Sequence, residues 1–375
     1  MNIRANPKMT RNVFLNCINS SEMKLRTIAY SLLLIPLVGS INGGCSKGGN
    51  AKTTTTTDTT TTTGGTTSTT DTSFVNGADI SWVTQMEASG ISFYDSSGTQ
   101  QDLLTILGGK GINAIRLRAW VNPSAGYNNT ADVVAKALSA KAANMSILID
   151  FHYSDTWADP GDQTKPAAWV NLDFADLDTA LYHYTEGVLD TLKANGITPT
   201  WVQVGNETSN GMLWPEGEAS LNMGQYAALV SSGYNATKSV FPNCKVIVHL
   251  ANGYDNTTYR WLFDGLKAGG ASWDVIGMSL YPTASNWSTY DTECLANMQD
   301  MISRYGKQVM ICEVGFAEND PTDAEAFLKD IIAKTKSVSG LGVFYWEPEC
   351  YNSWQGYGLG AFGNTGEPTI ALNAF

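Results

Sequence analysis

The stretch Ser146-Ile-Leu-Ile-Asp-Phe-His-Tyr-Ser-Asp155 sets the fold of the chain. Three apolar residues lead into a polar, aromatic and charged tail, and an amphipathic segment, Thr130–Ala143, lies just before it. Short apolar runs bounded by turn residues read as buried strands. Working outward in both directions, the same unit recurs. Strands are predicted at Gly77–Ile80, Ala114–Leu117, Ser146–Phe151, Trp201–Val204, Lys245–Leu250, Val275–Leu280, Gln308–Cys312 and Gly342–Trp346. Helices are predicted between them at 101–107, 130–143, 177–194, 223–238, 259–268, 294–305 and 323–338. Strands that alternate with helices form parallel sheets. Eight units within about 300 residues favour a closed (β/α)₈ TIM barrel, an α/β fold, over an open sheet.

In such barrels chemistry collects at the C-terminal ends of the strands. Here those ends carry Arg116 and Arg118, Asp150 to Asp155, Asn206-Glu207, His249 to Asn252, Tyr281, Glu313 and Trp346-Glu347. A purely structural barrel has no need of polar caps on nearly every strand. Breaking a glycosidic bond requires an acid at the leaving oxygen and a second carboxylate on the other face of the sugar. Glu207 ends the fourth strand and Glu313 the seventh, so they face each other across the mouth. A separation of about 5–5.5 Å would allow a covalent, retaining mechanism. Glu207 is then the acid/base, its pKa raised by the negative charge of Glu313, and Glu313 is the nucleophile. Arg116 is expected to hold Glu313 ionised. Arg118 is open between that role and a salt bridge in the barrel floor. Asn206 is expected to reach a sugar hydroxyl, Tyr281 to position Glu313, and Trp346 to floor the sugar site.

The ends of the chain add context. Lys24 and Arg26 precede an apolar run from Ile28 to Val38 and then small residues, the pattern of an export signal. Gly43-Gly44-Cys45 resembles a bacterial lipoprotein signal, with Cys45 acylated. Translation from Met23 fits that reading, because residues 1–21 match no part of a signal. Fourteen Thr between Thr53 and Thr70 form a tether without core-forming residues. The expected division is residues 1–44 signal and upstream extension, 45–73 lipidated Cys and tether, and 74–375 the catalytic barrel. An exported enzyme anchored to the outer membrane follows, with a monomer as the expected state.

Net charge is −12, and removal of residues 1–44 makes it −16. Nucleic acid is excluded as a partner, since binding it needs a basic footprint. Eleven Trp and sixteen Tyr suit a cleft that stacks on sugar rings as well as a core. Cys244, Cys294, Cys312 and Cys350 are too widely spaced for a small disulfide scaffold, so buried thiols with at most one bond are expected. No spacing suits zinc and no cofactor is expected.

Asp150-Phe-His-Tyr-Ser-Asp-Thr-Trp-Ala-Asp-Pro160, Val204-Gly-Asn-Glu-Thr208 and Phe344-Tyr-Trp-Glu-Pro348 resemble glycoside hydrolase family 53, the arabinogalactan endo-β-1,4-galactanases. Gly77-Ala-Asp-Ile-Ser81, Ile115-Arg-Leu-Arg-Ala-Trp120 and His249-Leu-Ala-Asn-Gly253 extend the likeness over nearly all of 74–346. The resemblance implies a retaining β-1,4-galactanase with Glu207 as acid/base and Glu313 as nucleophile. It implies Arg116, Asn206, Tyr281, His152 and His249 as supporting residues. Asp155, Trp157, Asn252, Asp255 and Trp346 are implied to line the cleft or support it.

Two departures qualify it. The calcium loop that some bacterial members carry after strand seven is replaced by 317–322 running straight into a helix, so no metal is expected. Trp346-Glu-Pro-Glu-Cys350 stands where the family often has Trp-Glu-Pro-Ala-Trp. With the short, Gly-rich loop 351–367, that leaves the number of outer subsites open. Two rivals remain: a retaining mannanase or xylanase on the same fold, and a surface glycan-binding lipoprotein without catalysis.

Overall fold

The computed structural model describes residues 74–375. Cys45, the signal and the Thr-rich tether lie outside the described residues. Eight parallel strands close into one barrel in chain order. They are β1 Val75–Asp79, β2 Ala114–Ala119, β3 Ser146–Phe151, β4 Trp201–Val204, β5 Lys245–Leu250, β6 Val275–Leu280, β7 Gln308–Val314 and β8 Gly342–Trp346. The helices are α1 Val83–Ala88, α2 Leu103–Gly109, α3 Thr130–Ala142, α4 Phe174–Ala194, α5 Ala219–Val240, α6 Asn256–Ala268, α7 Trp287–Tyr305 and α8 Pro321–Ser337. The single (β/α)₈ TIM barrel expected from the sequence is the observed fold. All eight strands lie where the apolar runs placed them.

Three helices, α4, α5 and α6, start three or four residues before the predicted bounds, and two differ more. α1 was not foreseen, since six residues are too few to show a periodic stripe. α7 starts at Trp287 instead of Cys294, because its first two turns carry polar residues that mask the apolar face. Helix starts follow local chemistry. Asn129, Asp173 and Asp320 each accept the backbone N–H three residues on, and Pro321 opens α8, just after the loop that follows β7. No described helix is long and apolar enough to cross a membrane.

The barrel interior is layered. Ala114, Leu148, Trp201, Ile247, Met310, Cys312 and Phe344 form an apolar floor. Gly77 is part of this fit: a Cβ there would stand 2.2 Å from the Phe344 ring. Because side chains alternate along a strand, the residues two further on share the interior. Those are Arg116, Asp150, Gln203 and His249, joined by Ser279 two beyond Gly277, all buried. An apolar floor thus carries a polar layer at the C-terminal end. The four described cysteines are free and buried, so no disulfide joins them.

Candidate active site

Arg116 is the centre of the polar layer. Its Nη1 lies 2.7 Å from Asp79 Oδ2, and its Nη2 lies 2.8 Å from both Asp150 Oδ2 and Glu313 Oε1. The guanidinium also donates to Gln203 Oε1 at 3.2 and 3.3 Å and to Asn206 Oδ1 at 2.9 Å. The planar fork meets several acceptors at once, which an ammonium would not. One cation faces three carboxylates, so the site is short of positive charge.

Glu313 reaches this layer through a bulge. Met278 pairs with Ile311, but Ser279 pairs with Glu313, which leaves Cys312 as the extra residue. Strict alternation would put Cys312 inward and Glu313 outward toward the helices. The bulge turns Glu313 inward as well. There its Oε2 accepts from the Tyr281 hydroxyl at 2.7 Å.

Glu207 is placed by a different irregularity. Gly205 has φ +81° and Glu207 itself φ +45°. A Cβ at Gly205 would meet Thr208 Cγ2 at 2.5 Å, so only glycine fits that turn. A non-glycine residue held at positive φ costs energy that surrounding structure must offset. Here His249 Nδ1 takes the Glu207 N–H at 3.4 Å, and Asn206 Nδ2 donates to Ala158 O at 2.9 Å.

The two glutamates sit in opposite electrostatic settings. Burial, then the charge of Glu313, raises the Glu207 pKa to about 8. Burial pushes the Glu313 carboxyl up too, but Arg116 and the Tyr281 hydroxyl favour its anion. A proton shared by this pair therefore resides on Glu207. Both histidines are held neutral, mainly by burial. His152 Nδ1 accepts from Ala158 N–H at 3.1 Å, so its Nε2–H donates to Asp150 Oδ2 at 3.0 Å. His249 Nε2 lies 2.7 Å from Ser279 Oγ.

Arg118 does not reach Glu313, and it is not a floor salt bridge either. Its Nη1 pairs with Glu347 Oε1 at 3.1 Å. Its guanidinium carbon lies 4.2 Å from the Trp157 ring centroid and 4.9 Å from that of Trp120. It supports the aromatic wall from behind. In that wall Trp346 packs edge-on to Trp82 at 5.2 Å, Trp157 at 5.8 Å and Tyr357 at 4.7 Å. Behind Trp346, burial and Asp79 raise Glu347 to about 7, and burial and Glu347 raise the wholly buried Glu349 well above the carboxylate range.

The other residues marked in the sequence are placed as follows. Both oxygens of Asp155 take backbone N–H groups, from Asn122 and Ala167 at 2.9 Å, so it clasps two loops. Asp255 caps α6 through Thr258, and its carboxylate is occupied there. Asn252 is exposed at φ +53° beside Tyr254. Asp79, Gln203 and Ser279 were not singled out from sequence, and Asp150 was marked only as part of a polar strand end. Their signal was a polar residue two places after an inward apolar one.

A family model described as glycosyl hydrolase family 53 matches residues 75–324. The chain belongs to glycosyl hydrolase family 53. It is a glycoside hydrolase. A probable arabinogalactan endo-β-1,4-galactanase A of Neosartorya fischeri is 37% identical over 297 residues, covering 72% of this chain and 83% of that protein. A solved structure of fungal β-1,4-galactanases superimposes with TM-score 0.75 at 32% identity, covering 80% of this chain and 98% of that one. The family 53 catalytic domain of Ignisphaera aggregans gives TM-score 0.73 at 30% identity, covering 81% and 95%.

Proposed function

We propose that this family 53 hydrolase is a retaining endo-β-1,4-galactanase that cuts β-1,4-galactan, the type I arabinogalactan of pectin side chains. The observation that carries the reading is the asymmetry of the glutamate pair: Glu313 holds Arg116 and Tyr281, while Glu207 is raised to about 8 beside it. Glu313 attacks C1 of the sugar and the C1–O bond to the leaving sugar breaks. The Glu207 proton moves to the departing oxygen. Water then adds to C1, Glu207 takes its proton, and the Glu313–C1 bond breaks. Arg116 and Tyr281 keep the nucleophile ionised and aimed. The galactanase names of the relatives at 32–37% identity support the choice of sugar.

Reducing-sugar release from galactan, mannan and xylan tests this, together with NMR of the first-formed anomer. Galactan should be cut fastest, giving the β-anomer first. Inertness on galactan beside activity on mannan or xylan would overturn the substrate. Binding of galactan without any cleavage would favour the non-catalytic reading.

The proposal extends to location: the barrel hangs from an acylated Cys45 at the outer membrane. Labelled palmitate should enter the full chain and not Cys45→Ala. Equal labelling would remove the anchor from the reading.

A further inference from the structure

Two aromatic groups stand on opposite halves of the ring of strands. The first is Trp82, Trp157, Trp346 and Tyr357, carried after β1, β3 and β8. The second lies after β5 and β6. Tyr254 is in the loop before α6, and Tyr290 is in the first turn of α7. In a β/α barrel, helix N-termini lie at the same end as strand C-termini, so both tyrosines are on the catalytic face. Their rings stack with centroids 3.9 Å apart and planes 24° apart. Both are only partly buried.

The loop that carries Tyr254 is tied to Glu207. Thr208 N–H donates to His249 O at 2.8 Å, and Ala251 N–H to Ser209 Oγ at 3.1 Å. Gly253 N–H donates to Ser279 O at 2.8 Å, while Asn297 Nδ2 holds Gly253 O at 2.7 Å. A shift of this loop would thus be felt at the acid.

We infer that Tyr254, backed by Tyr290, is a stacking platform for the sugar on the leaving-group side of the cut bond. The inference rests on the galactanase reading. The Glu207 proton goes to the oxygen that departs, so the leaving sugar lies toward β4 and its neighbour β5. The other half of the ring holds the Trp346 wall, which takes the sugar attacked by Glu313. A galactan chain crossing the mouth therefore meets Tyr254 next. In galactose the axial 4-hydroxyl leaves the C–H bonds of C3, C4 and C5 on one face, and that face suits an aromatic ring. Tyr290 covers one side of Tyr254, and the Tyr254 hydroxyl donates to Asn252 Oδ1 at 3.2 Å. A ring fixed in advance loses little freedom on binding. The exposed Asn252 amide stands beside it for a sugar hydroxyl.

Wild type, Tyr254→Ala and Tyr254→Phe are compared on galactohexaose and on β-1,4-galactobiosyl fluoride, whose leaving group occupies no sugar site. The ratio of kcat/KM on hexaose to that on fluoride should fall about tenfold or more in Tyr254→Ala and stay within about threefold in Tyr254→Phe. Loss of folded enzyme cancels in the ratio. Parallel changes on both substrates, or a phenylalanine variant as poor as alanine, would overturn the platform. A wild type that cuts the fluoride but not galactohexaose would overturn the galactanase reading, and the platform with it.

Discussion

Tyr281 donates its phenolic hydrogen to Oε2 of Glu313 across 2.7 Å, while Oε1 takes the Arg116 guanidinium at 2.8 Å. Each carboxylate oxygen thus has its own partner, and the anion is fixed in direction as well as charge. Tyr281→Phe removes one partner and keeps the ring. A hydrogen bond to a charged group contributes about 1.5–3 kcal/mol, so kcat should drop roughly 10–100-fold. The pKa of Glu313 should rise, moving the acid limb of kcat/KM to higher pH. An unmoved acid limb would argue that Tyr281 only packs.

Glu207 must be protonated to serve as the acid. With its pKa near 8 in the free enzyme, kcat/KM should decline on the alkaline side around that pH. Glu313→Gln keeps the shape but removes the adjacent negative charge, so the Glu207 pKa should fall. Carbon-13 NMR titration of labelled glutamate measures it directly. A Glu207 titration that stays near 8 in Glu313→Gln would show that burial alone sets the value.

Arg116 has a structural task as well. Arg116→Met would leave Asp79, Asp150 and Glu313 without their shared cation. Breaking a buried ion pair by removing one partner costs about 3–5 kcal/mol. Urea unfolding should show a loss of that order, and Arg116→Lys should recover only part of it, since an ammonium lacks the fork. A loss under about 1 kcal/mol would mean the carboxylates protonate without strain.

Away from the site, Asp291 on α7 is fully buried, and burial with the charge of Asp330 raises its pKa to about 9. In the unfolded chain it titrates near 3.9. Between those values the unfolded chain releases a proton that the fold retains. Stability is therefore full below the unfolded pKa, declines as pH rises toward 9, and is flat above. Asp291→Asn has no proton to lose, so its stability relative to wild type should grow by about 5 kcal/mol from pH 5 to pH 9. Melting curves at both pH values check this, and a constant offset would refute it.

The order of strands and helices was legible because each βα unit carries its own signal. An apolar run of four to six residues, as in Lys245–Leu250, must be buried on both faces and so reads as a parallel strand. α1 was missed because six residues show no period, and the start of α7 because its first turns are polar. In the site, Glu207 and Glu313 were found as acids at strand ends, and Arg116 as a cation on an inward strand. Asp79, Gln203 and Ser279 were passed over because each looks like an ordinary polar residue until the barrel closes, and Asp150 was marked as a polar strand end without a role. Asp155 and Asp255 were expected to line the cleft or support it, and their carboxylates meet backbone N–H groups that only the folded loops bring to them.

The sequence by itself determined that the chain makes eight βα units, that its polar residues gather where the strands end, and that its motifs are those of family 53. These are local properties, written in short runs of neighbouring residues. Tertiary structure alone decided which way Glu313 points. Alternation along β7 would send it outward, and the bulge at Cys312 against β6 turns it in to Arg116 and Tyr281. A bulge is a mismatch between two strands, so no single strand's sequence can specify it. The different electrostatic settings of the two glutamates follow for the same reason. Each is set by burial, by charges on β1, β2, β3 and β7 and by hydrogen bonds from β6 and the residue after it, elements far apart in the chain that meet only when the barrel closes.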